Sequence, residues 1–278
     1  MTYLKARYKI SERRSCQVME MHRSTYRHQG AGENQATTAE VVRLSERHPR
    51  WGYRKIYELI DRSQYPVSRE RVRLIRRREG LQVRKKAKKR RILGASTQWV
   101  HRATHAGHVW SYDFVQDQTI DGRSFRCLTV VDEFTRESLT IEVARSLTSV
   151  DVERVLAALV EERGAPGCIR SDNGREFIAT TVQQWLIDHN VGTHYIEPGS
   201  PWQNGYCESF NSIFRDSCLD QWAFESVAEA RAVITQWREE YNDIRPHGSL
   251  GGRSPAQYIK ERSADRSATS TQLKQGAA

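Results

Sequence analysis

Apolar and polar positions along the chain follow two different periods. From Thr37 to about Leu81 they recur at helical spacing: Val41, Val42 and Leu44, then Tyr53, Ile56, Tyr57, Leu59 and Ile60, then Val72, Leu74 and Ile75. The third of these short helices starts at Pro66-Val67-Ser68, with Ser68 as its N-cap. An earlier helix, turn, helix pattern lies in SERRSCQVMEMHRSTYRH, where Ser11 and Ser24 are candidate caps and Val18 and Met19 supply the apolar side. GAGENQA at 30–36 is a polar, glycine-containing break of the kind that separates modules.

After about Trp99 the pattern becomes strand-like. VWSYDFVQD, SFRCLTVVDEF and ESLTIEVA read as three strands in hairpin order, the first two joined across Asp121-Gly122. SVDVERVLAALVEERG returns to helical spacing through Val152, Val155, Leu156 and Leu159, and Gly164 suits its end. CIRSDNG is a short buried strand ending in a turn, TTVQQWLIDHN a helix, GTHYIEP a strand, and the stretch from about Asn204 to Leu219 a long helix. SVAEARAVITQWREEYN adds a last helix before a Pro, Gly and Ser-rich tail.

The order β-β-β-α-β-α-β-α predicts an α/β fold, a mixed five-stranded sheet with flanking helices, preceded by small all-α helix-turn-helix regions. The expected divisions are a helical region at 1–30, a helix-turn-helix-like DNA-binding domain at 37–82, a basic linker at 83–98, a catalytic core at 99–262 and a tail at 263–278.

Charge separates the two halves. The net charge is +10, but residues 1–98 hold 26 Lys+Arg against 9 Asp+Glu, giving +17, while residues 99–278 hold 18 against 25, giving −7. A strongly cationic module on a mildly acidic one implies polyanion binding at one end and different work at the other. The third helix carries Arg69, Arg71, Arg73, Arg76, Arg77 and Arg78, a spacing suited to groove entry or to lying along phosphates, or simply to a solvated face. RKKAKKRR at 84–91 holds seven cations in eight positions and reads as a phosphate-tracking connector. Candidate DNA contacts are Arg54, Arg71, Arg76, Arg84, Lys85, Lys86, Lys88, Lys89, Arg90 and Arg91.

Other classes fall away. No apolar run approaches the roughly 20 residues that span a bilayer, and MTYLKARYKISERR lacks the apolar core of a secretion signal, so a cytoplasmic protein is expected, with no membrane partner. Cys16, Cys127, Cys168, Cys207 and Cys218 are scattered and odd in number, which suits reduced structural thiols. His101, His105 and His108 have no paired cysteines to make a zinc module, and no GxxxxGK[ST] loop is present to bind ATP.

Three carboxylates carry the candidate chemistry. Strand alternation puts Trp110, Tyr112 and Phe114 on one face of the first strand and Ser111 and Asp113 on the other. Asp172 follows a short apolar strand and precedes the Asn173-Gly174 turn, where strand-end ligands gather in α/β sheets. Glu208 shares a helix face with Ser212 and Arg215. Phosphodiester cleavage needs hard cations to activate the attacking oxygen and stabilise the leaving one, and carboxylates are their natural ligands. Asp132, in VVDEF, is the rival to Asp113.

Between Asp172 and Glu208 lie 35 residues, positions 173 to 207. This spacing resembles the DD(35)E pattern of transposases and retroviral integrases. More specifically, WSYDF, VVDEFTRESL, IRSDNGREF, PGSPWQNGYCESFN and YNDIRPHGSLGGRSPAQY resemble the OrfB transposases of the insertion-sequence-three family, across about residues 110–258; WGYRKIYELI and VSRERVRLIRRREGL resemble its helix-turn-helix region. The resemblance implies a ribonuclease-H-like core and two Mg²⁺ or Mn²⁺ ions held by Asp113, Asp172 and Glu208. It implies cleavage of element ends followed by strand transfer through the 3′-hydroxyl, favours Asp113 over Asp132, and puts Arg215 near the terminal DNA phosphates.

Asn173 and Gly174 shape a turn, and Pro201, Gln203, Asn204 and Gly205 form the approach to Glu208; Asn204 is a further candidate DNA contact. Arg245, Pro246 and His247 match the family without suggesting a chemical role. The implied partners are double-stranded DNA, as terminal repeats and target, and an upstream-frame OrfA protein supplied separately or by fusion, with homo-oligomer assembly on DNA. A DNA-binding regulator without catalysis and a ribonuclease-H-type nuclease are the alternatives.

Overall fold

The computed structural model describes residues 7–27, 34–83, 102–171, 179–195 and 205–263. The basic run from Arg84 to Arg91, together with Asp172, Asn173, Gly174, Pro201, Gln203, Asn204 and the tail beyond residue 263, lies outside them.

Local capping explains where the N-terminal helices begin. Helix α1, Glu12–Val18, starts where the Ser11 side chain accepts from the Arg14 N–H, as its sequence predicts. Helix α2, Arg23–Arg27, starts before Ser24. Ser24 is therefore no cap; its hydroxyl meets His22 Nδ1 at 2.7 Å. The polar break ends in a cap of its own: Asn34 accepts from Ala36 and Thr37, so α3, Gln35–Arg47, begins two residues before the expected Thr37. Helices α4, Tyr53–Leu59, and α5, Arg69–Arg78, follow, with Ser68 capping α5. Val41, Leu44, Trp51, Ile56, Ile60, Val72 and Ile75 close a small core between α3, α4 and α5.

Arg76 belongs to that core. It is 2% exposed, and its guanidinium donates to the carbonyls of Trp51 and Leu81, both at 2.6 Å. This corrects the reading of Arg76 as a DNA contact: of the arginines on α5, it is the one turned inward, where it ties the helix to the turn after α3.

The larger unit is a five-stranded sheet in the order β3-β2-β1-β4-β5, built from β1, Val109–Gln118, β2, Ser124–Asp132, β3, Ser138–Ala144, β4, Cys168–Ser171, and β5, Gly192–Tyr195. The first three strands pair antiparallel, whereas β4 runs parallel to both β1 and β5. The crossover before β4 is α6, Ser149–Arg163, whose first turn is fixed by Asp151 accepting from the Thr148 N–H and hydroxyl at 2.9 Å. Helix α7, Thr180–Asp188, leads to β5, and α8, Gly205–Ser217, α9, Val227–Asp243, and a last helix over 255–263 follow.

Both faces of the sheet are covered. Trp110, Tyr112, Leu128 and Val130 pack against Val152, Leu156, Val182 and Leu186 of α6 and α7. On the other side Val115, Cys127, Val131 and Ile141 meet Phe210 and Phe214 of α8 and Ile234 and Tyr241 of α9. The face of β1 that carries Ser111 and Asp113 is thus a helix-covered face, and Ser111 is fully buried.

The two units touch. Ile244, just past α9, packs on the small helical core, and His48 Nδ1 lies 2.9 Å from Glu240 while its ring stacks on Trp51 at 4.0 Å. Gly252 has a φ of 87°, and a Cβ there would meet the Glu58 side chain at 3.3 Å, so close approach and conformation both call for glycine.

Lys55 on α4 sits half-buried at this joint. Burial, then the Arg245 charge, pulls its pKa down to about 8, against the opposing pull of Asp216. Between that value and the unfolded 10.5 the folded state binds fewer protons, so this residue's contribution to stability rises with pH across the window and its penalty is complete below it. Lys55→Met is expected to melt higher than wild type at pH 7, by roughly 2–4 °C for each kcal/mol relieved. The advantage should shrink as pH climbs above about 8; thermal unfolding of both proteins from pH 7 to pH 10 checks this, and a constant difference would refute it.

Candidate active site

Asp113 lies mid-way along β1, half-buried under α8. One of its oxygens accepts from the Phe114 N–H at 2.7 Å and the other from the Asn211 side-chain amide at 2.8 Å. Asn211 is held in turn by the Thr129 hydroxyl, which donates to its carbonyl at 3.1 Å from β2. Asn211 is three residues past Glu208 on the same helix, so the two share a flank. Glu208 is exposed on that flank, in the first turn of α8. Sequence reading gave Asn211 no role; its spacing from Glu208 was the available signal.

The second strand of the site arrives by parallel pairing. Val109, Trp110 and Ser111 of β1 stand beside Cys168, Ile169 and Arg170 of β4, and β4 ends at Ser171, the residue before Asp172. Among the described residues no group of three or more His, Cys, Asp or Glu converges to hold a metal; Asp172 lies outside them.

Beneath this edge lies an ion pair that sequence reading missed. Arg170 donates to the two Glu133 oxygens at 2.6 and 2.8 Å, Ser111 donates to Glu133 as well, and both charged side chains are almost completely buried. Burial pushes the Glu133 carboxyl up, against the Ser111 hydrogen bond and the Arg170 charge. Removing either partner alone would strand a buried charge, typically a loss of about 3–5 kcal/mol. Such a network fixes the β1–β4 pairing just below the carboxylate positions.

Arg215, two turns beyond Glu208, is exposed and donates to the Gln116 carbonyl at 2.7 Å, along the same edge of β1. Arg54, in the first turn of α4, and Arg71, in the first turn of α5, are solvent-exposed. Asp132, the rival carboxylate, is 3% exposed and accepts from the backbone N–H groups of Gly107, Phe134 and Thr135 at 2.7–2.8 Å. Its oxygens are occupied in shaping the β2–β3 turn.

Comparison with known proteins agrees with this architecture. The integrase core domain family matches residues 103–201 and, in a second form, 189–255, and an HTH-like domain family matches residues 33–90. An insertion element IS476 protein of 39.2 kDa from Xanthomonas euvesicatoria is 40% identical over 252 residues, 90% of this chain and 72% of that protein. An insertion element IS407 protein of 31.7 kDa from Burkholderia multivorans is 35% identical over 266 residues, 95% of this chain and 96% of that protein. Among solved structures, a cryo-EM structure of the simian T-cell lymphotropic virus intasome with PP2A regulatory subunit B56 gamma aligns with a TM-score of 0.52 at 14% identity, covering 77% of this chain and 73% of that one; this likeness shows the fold alone.

An integrase core behind an HTH-like domain defines the integrase and transposase superfamily, whose chemistry is polynucleotidyl transfer. Within it, the chain belongs to the OrfB-type transposases of insertion elements. No helix among the described residues is long and apolar enough to cross a membrane.

The contrast between the two aspartates is directly testable. Asp113→Asn should fold with near-wild-type melting yet lose DNA cleavage by at least about a hundredfold. Asp132→Asn should melt lower, because three backbone donors lose part of their acceptor, and retain cleavage once folded. Cleavage surviving in Asp113→Asn but not in folded Asp132→Asn would reverse the assignment.

Proposed function

We propose that the chain cuts the DNA ends of its insertion element and joins them to target DNA, with Asp113, Asp172 and Glu208 as the metal-holding carboxylates. The observation that carries this reading is the 2.8 Å bond from Asn211 to Asp113, which ties the helix of Glu208 to the strand of Asp113. The parallel register of β1 and β4 supports it further by bringing the strand that precedes Asp172 alongside Asp113. The donor set is all carboxylate oxygen, which suits a hard divalent cation. Two Mg²⁺ or Mn²⁺ ions held there supply activation of the attacking oxygen and charge stabilisation of the leaving one.

The chain's own residues orient the reaction. Asn211 fixes one Asp113 oxygen, so that carboxylate is presented in a single orientation. Arg215, exposed beside the same edge, is placed to hold a phosphate of the element end. In the first step a water oxygen bonds to phosphorus as the bond to the 3′-oxygen breaks, freeing a 3′-hydroxyl. In the second that hydroxyl bonds to a target phosphorus as the target's own phosphodiester breaks, so no external energy source is required. Arg54 and Arg71 contact the duplex from the HTH-like domain, joined by Arg84, Lys85, Lys86, Lys88, Lys89, Arg90 and Arg91 of the connector and by Asn204. The working assembly is an oligomer on two DNA ends, with an upstream-frame OrfA protein as partner or fused segment.

Strand transfer of a labelled element end, with Mg²⁺ and the upstream partner supplied, tests the reading. Wild type is expected to give joined product that disappears when the metal is chelated, and Glu208→Gln to bind the same DNA with product reduced by at least about a hundredfold. Equal product from Glu208→Gln removes Glu208 from the site.

A further inference from the structure

The RPH segment of the sequence, which the chemistry above leaves unused, sits among Arg136, Arg245 and Lys55, whose charges all act on His247. Arg136, in the β2–β3 turn, adopts a φ of 63° and lays its guanidinium 3.9 Å from the Tyr206 ring centroid. Arg245 lies between the rings of Trp51 and Tyr241, at 5.4 and 6.0 Å. His247 packs edge-on against Tyr241, and Lys55 completes the group from α4.

Among the described residues neither Arg136 nor Arg245 has a carboxylate at ion-pair distance. Nη1 of Arg136, Nε of Arg245 and Nε2 of His247 are buried without hydrogen-bond partners. The acids whose charge reaches the cluster are paired elsewhere: Glu133 with Arg170 at 2.6 Å, Glu240 with His48 at 2.9 Å, and Asp216 towards Arg50 at 3.9 Å. Burial first, then the charges of Arg245, Lys55 and Arg136, lower the His247 pKa to about 3, so its ring is neutral at working pH. Buried donor atoms left without acceptors on positively charged side chains are costly unless something negative completes them.

A cavity of about 560 Å³ opens on the Arg136 and His247 side of the cluster, lined by Arg102, Arg136, Tyr206, Ser209, His247 and Ser249 among others, with no Asp or Glu among the described residues of its wall. It lies along the flank of α8 formed by Tyr206, Ser209 and Ile213, whereas Glu208, Asn211 and Arg215 occupy the opposite flank.

We infer that this cavity is a second phosphate site, gripping a backbone phosphate of duplex DNA on the side of α8 turned away from Glu208. A phosphodiester supplies the missing negative charge and several acceptor oxygens, and planar guanidinium groups match its geometry. The cavity is wide enough to admit the flanking sugar as well as the phosphate. A phosphate held here lies about a helix width, ~10 Å, from the reacting one, so the site anchors the duplex and leaves the chemical step alone. The inference rests on the reading of DNA as the substrate.

The test uses the whole chain, a fluorescent duplex carrying the element end, and anisotropy over a range of salt concentrations. Arg136→Gln should weaken binding about tenfold and reduce the slope of log affinity on log salt by about 0.9, the loss of one phosphate contact. Arg136→Lys should recover most of the affinity, and Arg123→Gln, at the β1–β2 hairpin tip, should bind as wild type. Ser249→Asp gives an independent arm, because it offers the cluster an internal carboxylate: melting should rise while duplex affinity falls, with Ser249→Asn doing neither. Inorganic phosphate should raise the melting temperature of wild type more than that of Arg136→Gln.

Unchanged affinity and slope in Arg136→Gln, or a Ser249→Asp protein that melts higher and binds DNA normally, overturns the site. Stabilisation by inorganic phosphate with no change in duplex binding shows a free-anion site and overturns it equally. A wild type that binds no duplex at all fails the substrate reading first, so the two failures are distinguishable.

Discussion

Everything at the candidate site depends on the packing of α8 against the sheet. Cys207, Phe210 and Phe214 recur at helical spacing and bury one side of the helix on the face of β1 and β2. Burying a Phe side chain is worth about 1.5–3 kcal/mol, so two of them hold the helix firmly. That contact fixes how the helix is rotated, and the rotation decides the rest. It sends Asn211 down to Asp113 at one flank and Tyr206 towards Arg136 at the other. Polar side chains over the centre of the sheet are therefore positioned by the burial of apolar ones on the same helix.

A second contact sets where the helical N-terminal unit stands. Trp51, His48 and Ile56 present an apolar and aromatic surface to the end of α9, where Glu240, Ile244 and Arg245 receive it. The seat is close, since a Cβ at Gly252 would lie 3.3 Å from the Glu58 side chain. It also explains the burial of Arg245, whose sequence context gave no chemical role: its guanidinium lies over Trp51 of the smaller unit.

Much of this was legible in the chain. Period and capping residues located α1 to α9 and the five strands, helped by Ser11, Ser68 and Gly164, which act within one turn of themselves. What escaped was set by tertiary structure. Alternation along β1 marked Ser111 and Asp113 as the polar face, yet a helix about a hundred positions away covers them. Arg76 carries the same charge as its neighbours, and only the core between α3 and α5 reveals that it points inward. The Glu133–Arg170 pair joins the β2–β3 turn to β4 across a pairing that no local signal specifies. The three carboxylates proposed as metal ligands rest on motif and spacing, and Asn211 went unnoticed because one amide among many helix residues has no distinguishing context.

The mixed sheet has a consequence in time as well as in space. Strands β1, β2 and β3 are joined by short turns, so their antiparallel pairing closes small loops and forms early. Pairing of β4 with β1 must wait for the whole of α6 to be made and folded back, and α8 comes later still. The HTH-like helices at the front of the chain, with their own small core, complete first. The HTH-like module is therefore complete well before the sheet that carries Asp113 is, and the order of synthesis separates the two units in time.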